Sequence, residues 1–230
     1  MPPPDPSHAA RRPTDLLKVG AVVLAGGHGR RIGQDKASLR LGDLTALARV
    51  CETALTVVDT VVVAARTGQA LPEMPSGIAI VVDPIPDCGP LGGMLAGFRA
   101  LSERSVAATL VLACDHPLVT APLLHSLIDG LDANPAVAVR HNGRCYPLLA
   151  AYRLGARQAL EQTVAQRNLR AMTFLDSRAP AYLEGDALCA ADPQLQSLIN
   201  INDAQQWEAA RRALRRTSHG APTNPPNPSR

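Results

Sequence analysis

Apolar residues recur along this chain in two rhythms. Residues 19–25 (Val-Gly-Ala-Val-Val-Leu-Ala) are apolar without a break and run into Gly26-Gly27. That is the pattern of a strand buried on both faces that feeds a loop. Leu44, Leu47, Cys51, Ala54, Leu55 and Val58 then fall at the spacing of one helical face. Residues 60–65 (TVVVAA) predict a second strand, 78–82 (IAIVV) a third and 109–113 (TLVLA) a fourth. A helix is expected over 90–101, and another over 122–131 with proline in its first turn, where no donor is lost.

Beyond this point the rhythm changes. Residues 137–140 and 144–152 read as two strands around an Asn142-Gly143 hairpin turn. Helices around 153–165, 168–176 and 203–215 complete the pattern. Alternating strands and helices predict an α/β fold, a Rossmann-like three-layer sandwich whose mostly parallel sheet carries helices on both faces. Ligands of such sheets sit beyond the carboxyl ends of the strands, so the residues just after each strand carry the interest.

Composition sets the limits of this picture. Apolar residues make up 46% of the 230 and charged residues 19%, enough for a sizeable core. Of 20 prolines, five lie within residues 1–13 and four within 222–228, so flexible tails are expected over 1–16 and 217–230. A single domain is expected over 17–216. The net charge of +3 and an aromatic content of 3% argue against nucleic acid as a partner. The apolar runs fall far short of the ~18 residues a membrane span needs, and the N-terminus lacks the apolar core of a secretory signal. The expectation is a cytoplasmic protein with no membrane partner. Its five cysteines form no CxxC pair, which favours reduced, mostly buried thiols over zinc or disulfides.

Four strand ends carry chemistry. After the first strand, residues 24–36 read LAGGHGRRIGQDK. The glycines let the backbone approach a phosphate, and Arg30, Arg31 and Lys36 place three cations within seven positions. Three cations beside a glycine loop suit a triphosphate; the alternative is a solvated turn with surface arginines. Two familiar phosphate motifs fail here. A P-loop requires lysine after the last glycine, where this chain has Gln34, and the glycines are spaced GxGxxxG instead of GxGxxG. After the third strand comes Asp83, then Cys88-Gly-Pro-Leu-Gly-Gly-Met94, a turn opening a helix whose N-terminus could lie under a ligand. After the fourth comes Cys114-Asp115-His116-Pro117. Asp115 is either a Mg²⁺ ligand at a strand tip or a helix N-cap. Late in the chain, Ile199-Asn-Ile-Asn-Asp203 alternates so that both amides face one way; its plainer reading is an edge strand followed by an Asp203 cap.

In combination, LAGGxxxRxG followed by DK, then GPLxG, CDxP and NxN before a final helix, resemble the molybdenum cofactor guanylyltransferases of the MobA type. The resemblance spans residues 19–215 and implies a nucleotidyltransferase that moves GMP from GTP to molybdopterin with Mg²⁺, releasing pyrophosphate. It implies that Leu24, Ala25, Gly26 and Gly27 hold the guanine and ribose side, with Asp83 and Gly89 near the nucleotide. By the same resemblance Lys36 contacts phosphate, Arg31 neutralises the triphosphate and Asp115 binds Mg²⁺. Asn200 and Asn202 would stand near the metal and the pterin phosphate, with residues 141–147 on the pterin side. Molybdenum-insertion proteins and target molybdoenzymes are the implied protein partners.

The chain departs from the family pattern in three places. Ile32 stands where many relatives have Met, Ala64-Ala65 where relatives often carry a nucleotide-contacting asparagine, and Asp203-Ala-Gln where Thr-Pro-Glu is usual. Two other activities compete. One is cytidylyl transfer to the same pterin, or nucleotidyl transfer to another phosphorylated acceptor; the resemblance implies that paired glycines at Gly26 and Gly27 favour guanine over it. The other is a non-catalytic adaptor that hands cofactor to a molybdoenzyme. Retention of Arg31, Lys36 and Asp115 together speaks against the adaptor.

Overall fold

The computed structural model describes residues 17–26, 35–83, 85 and 87–219. The anticipated tail over 1–16 lies outside these residues, as do residues 220–230 of the one anticipated over 217–230, whereas 217–219 belong to the last helix. The elements run in the order β1 Val19–Leu24, β2 Arg40–Leu41, β3 Leu44–Thr45, α1 Ala46–Leu55, β4 Thr60–Ala65, β5 Ala79–Val82, α2 Gly89–Ser102 and β6 Ala108–Ala113. There follow α3 Ala121–Asp129, β7 Ala136–His141, β8 Arg144–Arg153, α4 Arg157–Ala165, α5 Ala171–Asp176, β9 Ala181–Leu183, α6 Gly185–Ala191 and α7 Ala204–His219.

Seven strands form one sheet in the order β5-β4-β1-β6-β8-β7-β9, and β2-β3 make a small separate hairpin. β5, β4, β1 and β6 are mutually parallel, β8 runs against both β6 and β7, and β9 is parallel to β7. The α/β fold with a mostly parallel sheet is therefore as expected. All six residues of β6 are buried, which is why its sequence reads as an apolar run without alternation. The hairpin joining β7 to β8 turns at Asn142 (φ 48°) and Gly143 (φ 74°), the paired positive dihedrals that an Asn-Gly turn supplies most cheaply.

Alternate strand residues fill two cores. Ala21, Val23, Val61, Val63, Leu110 and Leu112 face α1, α3 and α6, through Leu47, Cys51, Leu123, Leu127 and Leu188. Val22, Leu24, Val62, Ala64 and Val111 face α2, α4 and α5, through Met94, Phe98, Leu160 and Phe174. A third, satellite cluster joins Leu39, Leu41, Ala46, Leu118, Ile201 and Ala210. It ties the β2-β3 hairpin, the segment after β6 and α7 together, and this clasp positions the site.

Several details differ from the sequence reading. Leu44 belongs to β3 and not to the following helix, which starts once the Thr45 side chain caps it by accepting from Ala48 N. The final helix runs to His219. β9 and α6 were not expected from the sequence. Among the described residues no helix is long and apolar enough to cross a membrane.

Candidate functional site

The parallel strands end side by side, and their ladder continues one residue past each end. Ala25 N donates to Ala64 O at 3.0 Å, Asp83 N to Ala65 O at 3.0 Å and Cys114 N to Leu24 O at 3.1 Å. Leu24, Ala25, Gly26, Asp83 and Asp115 therefore leave the sheet along one edge, the edge at which parallel α/β sheets bind ligands. Leu24 and Ala25 are buried and Gly26 is exposed, so Gly26 is the member of this trio open to a ligand. Gly27, Arg30 and Arg31 lie outside the described residues.

Lys36 reaches this edge through a local turn. Asp35 caps the single 3-10 turn Lys36–Ser38, its Oδ1 accepting from Ala37 N at 3.1 Å. Lys36 Nζ then donates to Asn202 Oδ1 at 2.6 Å and lies 3.7 Å from Asp115 Oδ2. The lysine side chain is only 14% exposed and the aspartate 26%, so water screens this pair less than it would a surface ion pair. The satellite core explains the meeting. Leu39, Leu118 and Ile201 bury together, and each sits within three residues of Lys36, Asp115 or Asn202.

Asp115 is not a helix cap. The next helix, α3, starts six residues later at Ala121, with Thr120 at its N-cap. The fixed structural bond of Asp115 uses its backbone, whose carbonyl accepts from Ile201 N at 2.8 Å. Its carboxylate faces Lys36 on one side and His116 on the other, with His116 Nε2 3.9 Å from Oδ1. His116 is buried, and burial holds its imidazole below the usual range. Its Nδ1 donates to Ser197 O at 2.9 Å, which leaves Nε2 as the bare nitrogen of the neutral ring. Tyr146 meets this ring edge-on at a centroid distance of 5.7 Å, and Arg144 stacks 5.0 Å over Tyr146. The segment 141–147 thereby borders the Asp115 lip.

No strand forms at 199–203, yet the alternation has its expected effect. Ile201 is buried and Ile199 half-buried in the satellite core, while Asn202 turns to Lys36. Asn200, on the same side of the alternation, is half-buried. Asp203 does cap α7, accepting from Gln206 N at 2.8 Å, and Gln206 Oε1 in return accepts from Asn202 N at 2.7 Å.

Asp83 stands apart from this cluster. Its Oδ1 accepts from Ile85 N at 2.9 Å, and a Cβ added at Gly92 would run into its carboxylate. The acid thus lies over the first turn of α2, where the helix dipole favours negative charge. Three strand steps separate β5 from β6, which at roughly 4.8 Å per step puts Asp83 about 14 Å from Asp115 across the sheet. The two carboxylates do not share one metal shell. Gly89 opens α2 at φ 56°, a left-handed dihedral suited to glycine. Gly93 and Gly97 bring α2 close to β1, because added Cβ atoms there would meet Leu24 and Val22.

One polar cluster at this edge gives no sequence signal. At the end of β4, Gln69 Nε2 donates to Ala25 O at 3.0 Å and to Asp35 Oδ2 at 2.8 Å, and Arg66 NH2 lies 3.4 Å from the same oxygen. Asp35 and Gln69 are 34 residues apart, and no spacing rule links them.

Among the described residues, no group of three or more His, Cys, Asp or Glu is placed to hold a metal ion. A cation here would rest on the Asp115 carboxylate and complete its shell from substrate and water. That donor set suits a hard, oxygen-seeking cation and not a closed thiolate or imidazole site.

Known proteins resemble this chain in sequence and in fold. The family described as the MobA-like NTP transferase domain matches residues 21–180. The "Probable molybdenum cofactor guanylyltransferase" of Mycolicibacterium paratuberculosis is 32% identical over 205 residues, covering 87% of this chain and 96% of its own. Molybdopterin-guanine dinucleotide biosynthesis protein A from Archaeoglobus fulgidus superposes with a TM-score of 0.71 at 23% identity, over 86% of this chain and 99% of that one. The 4-diphosphocytidyl-2C-methyl-D-erythritol synthase of Anaerococcus prevotii reaches a TM-score of 0.65 at 14% identity, over 88% and 98%. These two superpositions speak to the nucleotidyltransferase fold alone. With the family match spanning well over half its length, the chain belongs to the MobA-like NTP transferases.

Proposed function

We propose that this chain transfers GMP from GTP to molybdopterin, giving the guanine dinucleotide form of the molybdenum cofactor and pyrophosphate. The observation that carries this reading is the part-buried cluster of Lys36, Asp115 and Asn202, gathered at the ligand-binding edge from three distant parts of the chain. The name carried by relatives such as the Mycolicibacterium protein supplies the substrate class.

In the proposed reaction an oxygen of the pterin's terminal phosphate attacks the α-phosphorus of GTP in line. One P–O bond forms, the bond to the β-phosphate oxygen breaks, and pyrophosphate departs with its charge. No protein nucleophile is needed, so the chain's task is positioning and charge. Lys36 Nζ, held by Asn202, supplies a fixed positive charge for the phosphates. Arg31 is assigned the same duty. Asp115 would hold Mg²⁺, whose chemistry when bound is to neutralise the triphosphate and the leaving pyrophosphate. Gly26 and its neighbours Leu24, Ala25 and Gly27 would present backbone to the guanine and ribose. Asp83 and Gly89 would approach the nucleotide from the α2 side, and Asn200 and the 141–147 hairpin would face the pterin.

Three placements complete the proposal: one catalytic domain over 17–216, action in the cytoplasm, and hand-over to molybdenum-insertion proteins or molybdoenzymes. Free cysteines, three of them buried, fit a reducing compartment. The test is pyrophosphate release from GTP, CTP and ATP with Mg²⁺, with and without molybdopterin. Release that requires both GTP and pterin is the expected result, and release favouring CTP would overturn the guanine assignment.

A further inference from the structure

We infer that Gln69 is a positioning residue for the nucleotide, and that it acts as a clasp between the end of β1 and the turn that carries Lys36. The inference rests on the reading of Lys36 as a phosphate-binding group.

The side-chain amide of Gln69 uses all of its main hydrogen-bonding capacity at the site edge. One Nε2 proton goes to Ala25 O at 3.0 Å and the other to Asp35 Oδ2 at 2.8 Å, while Oε1 accepts from Arg66 N at 3.0 Å. The backbone supports this placement, since Gln69 N donates to Arg66 O at 3.1 Å and closes a turn directly after β4. Ala25 precedes Gly26, the exposed residue at the mouth of the site. Asp35 is the cap of the turn that aims Lys36 at Asn202 and Asp115. Its carboxylate is divided between two duties, with Oδ1 capping Ala37 N and Oδ2 held by Gln69 and Arg66.

A carboxylate fixed at both oxygens cannot rotate away from its cap. Gln69 therefore sets the distance between the backbone at Ala25-Gly26 and the ammonium of Lys36, two groups that must fit one nucleotide simultaneously. A carboxylate alone would not do this. It would accept from Arg66 N equally well, but it has no proton for Ala25 O or for Asp35.

That asymmetry supplies the experiment. Gln69→Glu keeps the Arg66 turn bond and loses both donors, whereas Gln69→Leu loses all three bonds. In purified full-length protein, KM for GTP and for molybdopterin, kcat, and the melting temperature are measured for each variant. Amide exchange of the peptide covering residues 35–41 is followed without substrate. The clasp predicts that Gln69→Glu, whose carboxylate would stand against Asp35 Oδ2 and Ala25 O, melts below the wild type and raises KM for GTP by more than about tenfold. Gln69→Leu, which loses the donors without adding charge, raises it about tenfold, as expected for two modest hydrogen bonds. KM for the pterin should stay unchanged, and exchange in the 35–41 peptide should quicken. Wild-type KM for GTP together with wild-type exchange in Gln69→Glu would overturn the clasp and leave Gln69 as a turn residue. If the wild-type enzyme releases no pyrophosphate from any triphosphate, the guanylyl reading falls, and the exchange of the 35–41 peptide still decides the clasp.

Discussion

A single ammonium group, Lys36 Nζ, is held between an amide at 2.6 Å and a carboxylate at 3.7 Å. Removing it should damage chemistry far more than stability. We expect Lys36→Ala to lower turnover about a hundredfold, the usual cost of losing one preorganised charge from a transition state. Asp115 is 26% exposed, so water can solvate its freed carboxylate and the melting temperature should barely move. Lys36→Arg should not fully restore activity, because a compact point charge and a planar fork are not interchangeable. Asp115→Asn separates charge from shape. The bond that anchors Ile201 uses the Asp115 backbone carbonyl, which asparagine keeps, so the variant should fold and melt normally. Pyrophosphate release should fall by more than about a hundredfold if the carboxylate holds Mg²⁺, a loss in line with several kcal/mol of metal assistance. A Mg²⁺ titration of that variant decides the matter, since wild-type rates at low Mg²⁺ would remove Asp115 from the metal role. Gly26→Ala is a cleaner probe of the base side. An added Cβ would meet Arg66 Cγ at 3.6 Å, an ordinary contact, so any loss of GTP affinity reports the ligand and not the fold.

Among the elements, α2 divides its glycines between packing against β1 and the proposed nucleotide side. At Gly97 an added Cβ would stand 2.5 Å from both γ-carbons of Val22, a stiff side chain in the central strand. Gly97→Ala should therefore cost about 1–3 kcal/mol and leave KM for GTP alone. At Gly92 the clash is with the carboxylate of Asp83, which can swing aside. Gly92→Ala should melt near the wild type and bind GTP more weakly; the opposite pairing of effects would mean that Asp83 faces no nucleotide. Thermal melts and GTP kinetics on the two variants separate these outcomes. The same scale shows what the sequence reveals. β1, β4 and β6 are legible because burial on both faces gives runs with no charged residue and no polar alternation. β2 and β3 escape because two residues each give no period, and β9 because its three half-buried residues at the sheet edge carry no alternation. Lys36, Asp115 and Asn202 are legible as motif residues at element ends. Gln69 is not, because its partners are a backbone carbonyl and an acid brought near only by the fold.

For the molecule as a whole, the two cores and the satellite cluster make ligand binding a global event. Residues from Leu24 to Asn202 meet at one edge, and the elements carrying them pack into all three clusters. A nucleotide that binds there opposes unfolding of the entire sheet and not of a loop. At about 100 times its dissociation constant, GTP with Mg²⁺ should add roughly 2.7 kcal/mol. For a domain of this size that corresponds to a rise in melting temperature of roughly 5–10 °C. CTP and ATP at the same concentration should give smaller shifts if the proposed guanine preference holds, although the fold itself is shared with a cytidyl-named enzyme and does not select the base. In the proposed reading, selection comes from the strand end. There the Leu24 carbonyl and both Ala25 backbone groups each already have a partner within the protein, so exposed Gly26 is the described residue of this proposed set most open to the purine edge. Gly26→Ala should accordingly shrink the GTP shift while leaving the ligand-free melting temperature in place. Equal shifts for GTP and CTP in the wild type would show that this strand end does not read guanine.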